Sequence, residues 1–190
     1  MSGPVSSART LSVEMAALFP TRVWQARLDG LKPLFPQWVA AATAWNGAEK
    51  TLLDQPVFEP LTSALRAACA HALAQMGQTD PSFAIESWPN ILNWGGYNPV
   101  HRHEGRLLSG VFYLQVPQGS GPLVFRDPRP GVQGAPFKGP HANGHNDIQL
   151  APSAGLAVLF PNWLDHFVEP HDNDVPRISI SFNALVRKHP

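Results

Sequence analysis

The chain has 190 residues, 44% hydrophobic and 15% charged, a balance that fits one compact domain with a single core and excludes a disordered polypeptide. Lys and Arg together number 14, as do Asp and Glu, so no basic field is available for nucleic acid or anionic lipid. No apolar run approaches the roughly 20 residues of a membrane span, the N-terminus does not read as a signal peptide, and the single Cys69 cannot close an intramolecular disulfide; the expected compartment is a reducing cytoplasm.

Residues 1–9 read as a flexible polar leader. Residues 10–80 read as a strand with supporting helices, and residues 82–187 as the remainder of one domain. Leu18 to Leu28 alternates enough for a strand with Pro20 at its edge. Pro36 to Trp45 predicts a helix, with proline near its start and alanine-rich spacing. Phe58 to Met76 predicts a second, because Leu61, Leu65, Ala68 or Cys69, and Leu73 recur at helical intervals and Gly77 stops the run. Cys69 then sits on a helix face as a buried, inert thiol.

From Ser82 the period changes to two. Ser82 to Trp94 reads as strand broken near Pro89, Gly95-Gly96 as a bend, and Leu107 to Val116 as the strongest strand of the chain. Leu123 to Phe125 is a short strand closed by Asp127-Pro128, with Asp127 a turn former. Gly131 to Asn146 is a long loop carrying His141 and His145. Ile148 to Ala151, Gly155 to Phe160, His166 to Glu169 and Arg177 to Val186 follow as strands. Twenty prolines and fifteen glycines, clustered in this half, supply the turns. Two helices before seven or eight short strands argue for an α+β, mainly β domain, a sandwich or jelly roll with helices packed on one sheet.

Within that frame His101, His103 and His166 are the candidate metal ligands. Side chains two residues apart on extended chain point the same way, so His101 and His103 converge, and His166 from a later strand completes a face of three imidazoles. In Arg177-Ile178-Ser179-Ile180-Ser181-Phe182-Asn183 one face is polar and the other apolar. Solvent on the polar side is the ordinary reading; a ligand-filled lumen would instead set Arg177 and Ser179 against an anion. With 169–176 read as a turn, His166 and Arg177 are expected on adjacent antiparallel strands. A metal beside an acid-binding arginine suggests an enzyme that holds an oxo-acid on iron. Trp88, Asn90, Trp94 and Tyr97 are candidate substrate contacts near the lumen mouth, and also fit as core residues. His71 reads as a helix residue, and His171 and His189 as exposed. No nucleophile elbow, phosphate loop or paired-cysteine zinc pattern is present.

The ordered pieces Trp88-Pro89-Asn90, His101-Arg102-His103, Ser109-Gly110-Val111-Phe112-Tyr113-Leu114, Phe125-Arg126-Asp127-Pro128-Arg129 and Arg177-Ile178-Ser179-Ile180-Ser181-Phe182-Asn183 resemble the iron(II)- and 2-oxoglutarate-dependent oxygenase superfamily, in a branch of small members. The resemblance spans roughly residues 87–186. It implies a double-stranded β-helix. It also implies His101 and His166 on iron, Arg177 and Ser179 on the distal carboxylate of 2-oxoglutarate, and Tyr113, across the lumen, as a further donor to that cosubstrate. The family reaction consumes O2, decarboxylates 2-oxoglutarate to succinate and oxidises an unactivated carbon, usually to an alcohol.

The chain departs from the usual His-x-Asp or His-x-Glu at His103. Three neutral imidazoles leave the ion one more positive charge than two imidazoles and a carboxylate do. Three registers therefore stand open. His103 is the third ligand; or a bent segment presents Glu104; or His103 is itself the first ligand and Gly105, two residues on, leaves an open position. The expected function is an Fe(II)- and 2-oxoglutarate-dependent dioxygenase hydroxylating a small molecule or a peptidyl side chain. Its alternatives are a three-histidine cupin-type dioxygenase without 2-oxoglutarate and a non-catalytic jelly-roll binding module. The sheet edges of such a fold need covering, and a homodimer is one way to cover them.

Overall fold

A computed structural model of the chain describes residues 12–14, 16–47, 51–78, 82–131 and 147–186. The leader at 1–9, most of the loop with His141 and His145, and His189 lie outside the described residues. The helical half follows the sequence closely. α1, Phe35–Ala44, carries Pro36 in its first turn, where the missing N–H removes no internal bond. α2, Glu59–Gln75, likewise opens on a proline; its buried stripe is Leu61, Leu65, Cys69, Ala72 and Leu73. Gly77 ends it at φ 82°, a conformation that suits glycine. Burial pushes the Cys69 thiol up to about 12, so it stays a protonated core group.

Among the described residues nine strands form two antiparallel sheets. The first sheet contains β1 (Trp24–Arg27), β2 (Phe83–Leu92), β4 (Leu108–Gln115), β7 (Leu156–Pro161) and β9 (Arg177–Val186) in the order β1-β7-β4-β9-β2. The second contains β3 (Asn98–His101), β5 (Leu123–Arg126), β6 (Asp147–Leu150) and β8 (His166–Val168) in the order β3-β8-β5-β6. One face of the first sheet packs on the helices. Trp38, fully buried, stacks on Phe35 at 5.8 Å, meets Phe112 edge-on at 6.4 Å and donates from Nε1 to the Val57 carbonyl at 2.7 Å. A second apolar cluster, with Val111, Tyr113, Leu123, Phe125, Val158, Phe160 and Val168, lies between the sheets. This is the jelly roll with helices on one sheet.

Several expectations change in detail. The first strand shrinks to Trp24–Arg27, since only those residues pair with β7. Pro89 does not break its strand: Phe83–Leu92 pairs with β9 throughout. β2 is the outer strand of its sheet, the position where proline's missing N–H is tolerated. His171 is buried, not exposed. Its backbone donates to Gly96 and accepts from Gly95, and its ring contacts the Val175 carbonyl at 2.8 Å, tying the β8–β9 loop to the β2–β3 loop. Nor do His166 and Arg177 occupy neighbouring strands. β8 belongs to the second sheet and β9 to the first, so the two residues look toward each other across the lumen. Tyr113 is correspondingly not across from Arg177 but beside it, on β4, where it pairs in register with Ser179 of β9.

Candidate metal centre

The three histidines come from three differently built places. His101 ends β3 and pairs across the ladder with His166, the first residue of β8. His103 lies beyond the strand, so ladder alternation does not aim it. Its backbone N–H donates to the Asn162 carbonyl at 3.0 Å, its carbonyl accepts from Asn162 Nδ2 at 3.2 Å, and Trp88 stacks on its ring at 5.9 Å. The ring centroids are 4.3 Å apart for His101 and His166, 5.1 Å for His101 and His103, and 5.2 Å for His103 and His166. One nitrogen from each lies within 4.8 Å of the others, close enough to share one ion.

Tautomers are prepared as well. Nδ1 of His101 faces the Pro99 carbonyl at 2.7 Å, and Nδ1 of His166 faces the Leu164 carbonyl at 2.9 Å. A carbonyl only accepts, so each Nδ1 carries the proton and each Nε2 lone pair is left for a metal. Nε2 of His103 is buried without a hydrogen-bond partner among the described residues. Burial drives His166 down to about 4, with the two neighbouring imidazoles pressing the same way against the Leu164 carbonyl. Burial, then His101, also lowers His103. Both rings are therefore neutral and ligand-ready at neutral pH.

Opposite the imidazoles, β9 turns its polar face inward. Arg177 is 1% exposed, Ser179 0% and Asn183 2%, which removes the solvent reading of that face. Arg177 has no carboxylate partner among the described residues, and its Nε and the Tyr113 hydroxyl both lack hydrogen-bond partners there. The guanidinium lies 5.1 Å from the Tyr113 ring centre, and its Nη1 donates to Ser179 Oγ at 3.4 Å. Burial lowers Arg177 and raises Tyr113, which leaves a cation and a neutral phenol. A buried cation with free donors costs several kcal/mol unless an anion joins it. A carboxylate is the group this pocket fits.

The lumen lining unites His101, His103, His166, Arg177, Tyr113, Trp88 and Asn90. Ser179 sits behind Arg177 and does not line it. Trp94 and Tyr97 stand apart, 70% and 61% exposed, with Trp94 Nε1 hydrogen-bonded to Asp172. Glu104 is at a turn, its side chain 79% exposed and paired with Arg102, and Gly105 follows in the left-handed region at φ 74°. Asp127 accepts from the backbone and side chain of Arg129, as a turn former does. An outer vestibule adjoins the triad, lined by Glu86, Trp88, His101, Arg102, His103, Glu104, Arg106 and Asn183. Glu86 escaped the sequence reading and Asn183 entered it only as part of the polar face of its strand; alternation from Trp88 and Arg177 places both on the inward faces of β2 and β9.

The fold is a jelly roll, and one side of its lumen holds three imidazoles able to share a metal ion opposite a buried arginine. Residues 86–183, just over half of the chain, match the family described as "Putative 2OG-Fe(II) oxygenase". The chain belongs to that family of 2-oxoglutarate- and Fe(II)-dependent oxygenases, which sets aside the non-catalytic binding module. No curated protein matches it. Among solved structures it is similar to a Pseudomonas putida prolyl-4-hydroxylase, at 18% identity over 90% of this chain and 88% of that one, TM-score 0.58. It is also similar to the non-heme alpha ketoglutarate dependent epimerase SnoN from nogalamycin biosynthesis, at 16% identity over 87% and 78%, TM-score 0.62. A third is HygX from Streptomyces hygroscopicus with nickel and 2-oxoglutarate bound, at 11% identity over 88% and 83%, TM-score 0.58. At such identities these similarities concern the fold. Among the described residues no helix is long and apolar enough to cross a membrane.

Proposed function

We propose that this oxygenase hydroxylates a carbon of a small molecule or a peptidyl side chain, with iron held by the Nε2 atoms of His101, His103 and His166. The observation that carries the reading is the convergence of three neutral imidazoles on one side of a lumen whose other side holds the buried Arg177, which has no carboxylate partner among the described residues. Arg177 binds the distal carboxylate of 2-oxoglutarate, Ser179 orients the guanidinium, and the Tyr113 hydroxyl donates to the same cosubstrate. When bound, iron(II) would activate O2, the oxidant, with 2-oxoglutarate as the two-electron reductant, for attack on an unactivated C–H bond. The residues around it bind, orient and keep bulk water from the lumen. Trp88 and Asn90 border the path to the vestibule, where a substrate would present its reactive carbon.

Hydroxylation is favoured by the prolyl-4-hydroxylase among the similar folds; the epimerase SnoN shows that the same scaffold carries other outcomes. A three-histidine dioxygenase working without an oxo-acid shares the imidazoles but gives the buried guanidinium no partner. Anaerobic titration of the Fe(II)-loaded protein with 2-oxoglutarate separates the two. A saturable visible charge-transfer band is expected; tightly bound iron with no band would overturn the 2-oxoglutarate assignment.

A further inference from the structure

A three-histidine centre has a charge problem that its own ligands do not solve. A divalent ion among neutral imidazoles keeps its full charge, whereas a coordinating carboxylate would offset part of it. His103 stands where that carboxylate is usual, and Glu104, the nearest acid in sequence, stands at the rim of the vestibule, its side chain 79% exposed and paired with Arg102. Among the described residues the other acid lining the vestibule shared with His101 and His103 is Glu86, on the inward face of β2.

Glu86 is held in place from several directions. Arg106 Nε donates to Glu86 Oε1 at 2.5 Å and Arg106 Nη2 to Oε2 at 3.2 Å. Asn183 Nδ2 donates to Glu86 Oε1 at 2.9 Å, while Ser109 Oγ donates to Asn183 Oδ1 at 2.7 Å, which fixes the way the amide points. This chain of contacts runs along three neighbouring strands of the first sheet, because Glu86 pairs with Asn183 and Asn183 with Ser109 in register. The network opens on the vestibule that His101 and His103 also line. Arg106, which lines the same vestibule, is the competing cation.

We propose that Glu86, fixed by Arg106 and Asn183, is a positioning residue and outer counter-charge for the metal centre, supplying from beyond the ligand set the negative charge that His103 does not. This rests on the ligand assignment made above. Asn183 holds Glu86 at the vestibule that His103 shares, and Trp88 confines the His103 ring from its face. Because the carboxylate does not coordinate, all remaining positions on the ion stay available to 2-oxoglutarate and O2.

The test is the affinity of the metal-free protein for Ni(II) and, anaerobically, Fe(II), by competition with a chromophoric chelator. Glu86→Gln keeps the shape and removes the charge. It should weaken both metals roughly tenfold, the low end for an outer-shell partner, with little change in the melting temperature of the metal-free protein. Arg106→Gln removes the opposing cation while its amide still offers a donor and Asn183 Nδ2 still holds Glu86 Oε1, so it should tighten them. A purely structural role would make both variants weaken binding, so loss in Arg106→Gln, or unchanged affinity in Glu86→Gln, overturns the proposal. His103→Ala runs alongside: unchanged affinity there would overturn the ligand assignment itself, whereas loss there with no effect of Glu86→Gln removes only the role of Glu86.

Discussion

Arg177 and His166 are the two side chains at which burial and chemistry most clearly oppose each other. Arg177 is kept out of water with no carboxylate partner among the described residues, so truncation is expected to remove an acid receptor and leave the imidazoles intact. Arg177→Ala should bind Fe(II) as the parent does and lose about 3 kcal/mol of 2-oxoglutarate affinity, roughly a hundredfold, in an anaerobic titration. Equal affinity in the two proteins would mean that the acid sits elsewhere. His166→Ala should abolish stoichiometric metal binding, read by equilibrium dialysis. His166 also makes the metal-free protein sensitive to acid. Its folded value near 4 lies below the ordinary 6.5, so the unfolded chain takes up the proton first. Stability is complete above pH 6.5 and falls as pH drops toward 4, by about 3 kcal/mol for this group. Urea denaturation of metal-free protein at pH 7 and pH 4.5 should show the drop, and His166→Gln should flatten it.

At the level of elements, the catalytic face is only as rigid as the helix–sheet packing behind it. Trp38 joins α1 to β4 through Phe112, and Trp38→Ala should cost about 3–5 kcal/mol, a large part of a typical domain's stability. Chemical denaturation gives the number directly. Gly110, within Ser109-Gly110-Val111, has no room for a methyl group. An added Cβ would overlap the Phe182 ring and lie 2.8 Å from the Val158 carbonyl. Gly110→Ala should therefore destabilise by about 1–3 kcal/mol, again by denaturation, with β9 and its Arg177 displaced first. The helices were legible because their apolar spacing and proline and glycine ends are local signals. The strands were legible from alternation, but Pro89 was not: whether a proline breaks a strand depends on whether that strand has a second neighbour, which is a property of the sheet.

For the whole molecule, ligands that bind only the folded chain raise its stability by mass action. Ni(II), which does not turn over, should raise the melting temperature, and 2-oxoglutarate should add a further increment. Each contributes about 2.7 kcal/mol at a hundredfold excess over its dissociation constant, or roughly 5–10 °C for a chain of this size. In Arg177→Ala the nickel increment should persist and the 2-oxoglutarate increment vanish. A 2-oxoglutarate shift without metal would show that the acid binds independently of the three imidazoles. The cooperation expected here arises because the two half-sites belong to different sheets and meet only in the folded jelly roll.

The amino-acid sequence by itself determined the composition of the two sheets' faces and the polar stripe of β9, since each follows from periodicity within one segment; His103 lies beyond β3, and its convergence with His101 depends on Asn162 and Trp88. Membership of the oxygenase family was likewise legible in the order of its short motifs. Only the tertiary structure decided what those stripes face. It placed His166 and Arg177 on opposite sheets rather than in one hairpin, set Tyr113 beside Ser179, sent Trp94 and Tyr97 into solvent, and buried His171 under a loop. The physical reason is that a strand's period fixes which residues share a face, while the identity of the facing strand depends on contacts between residues distant in the chain.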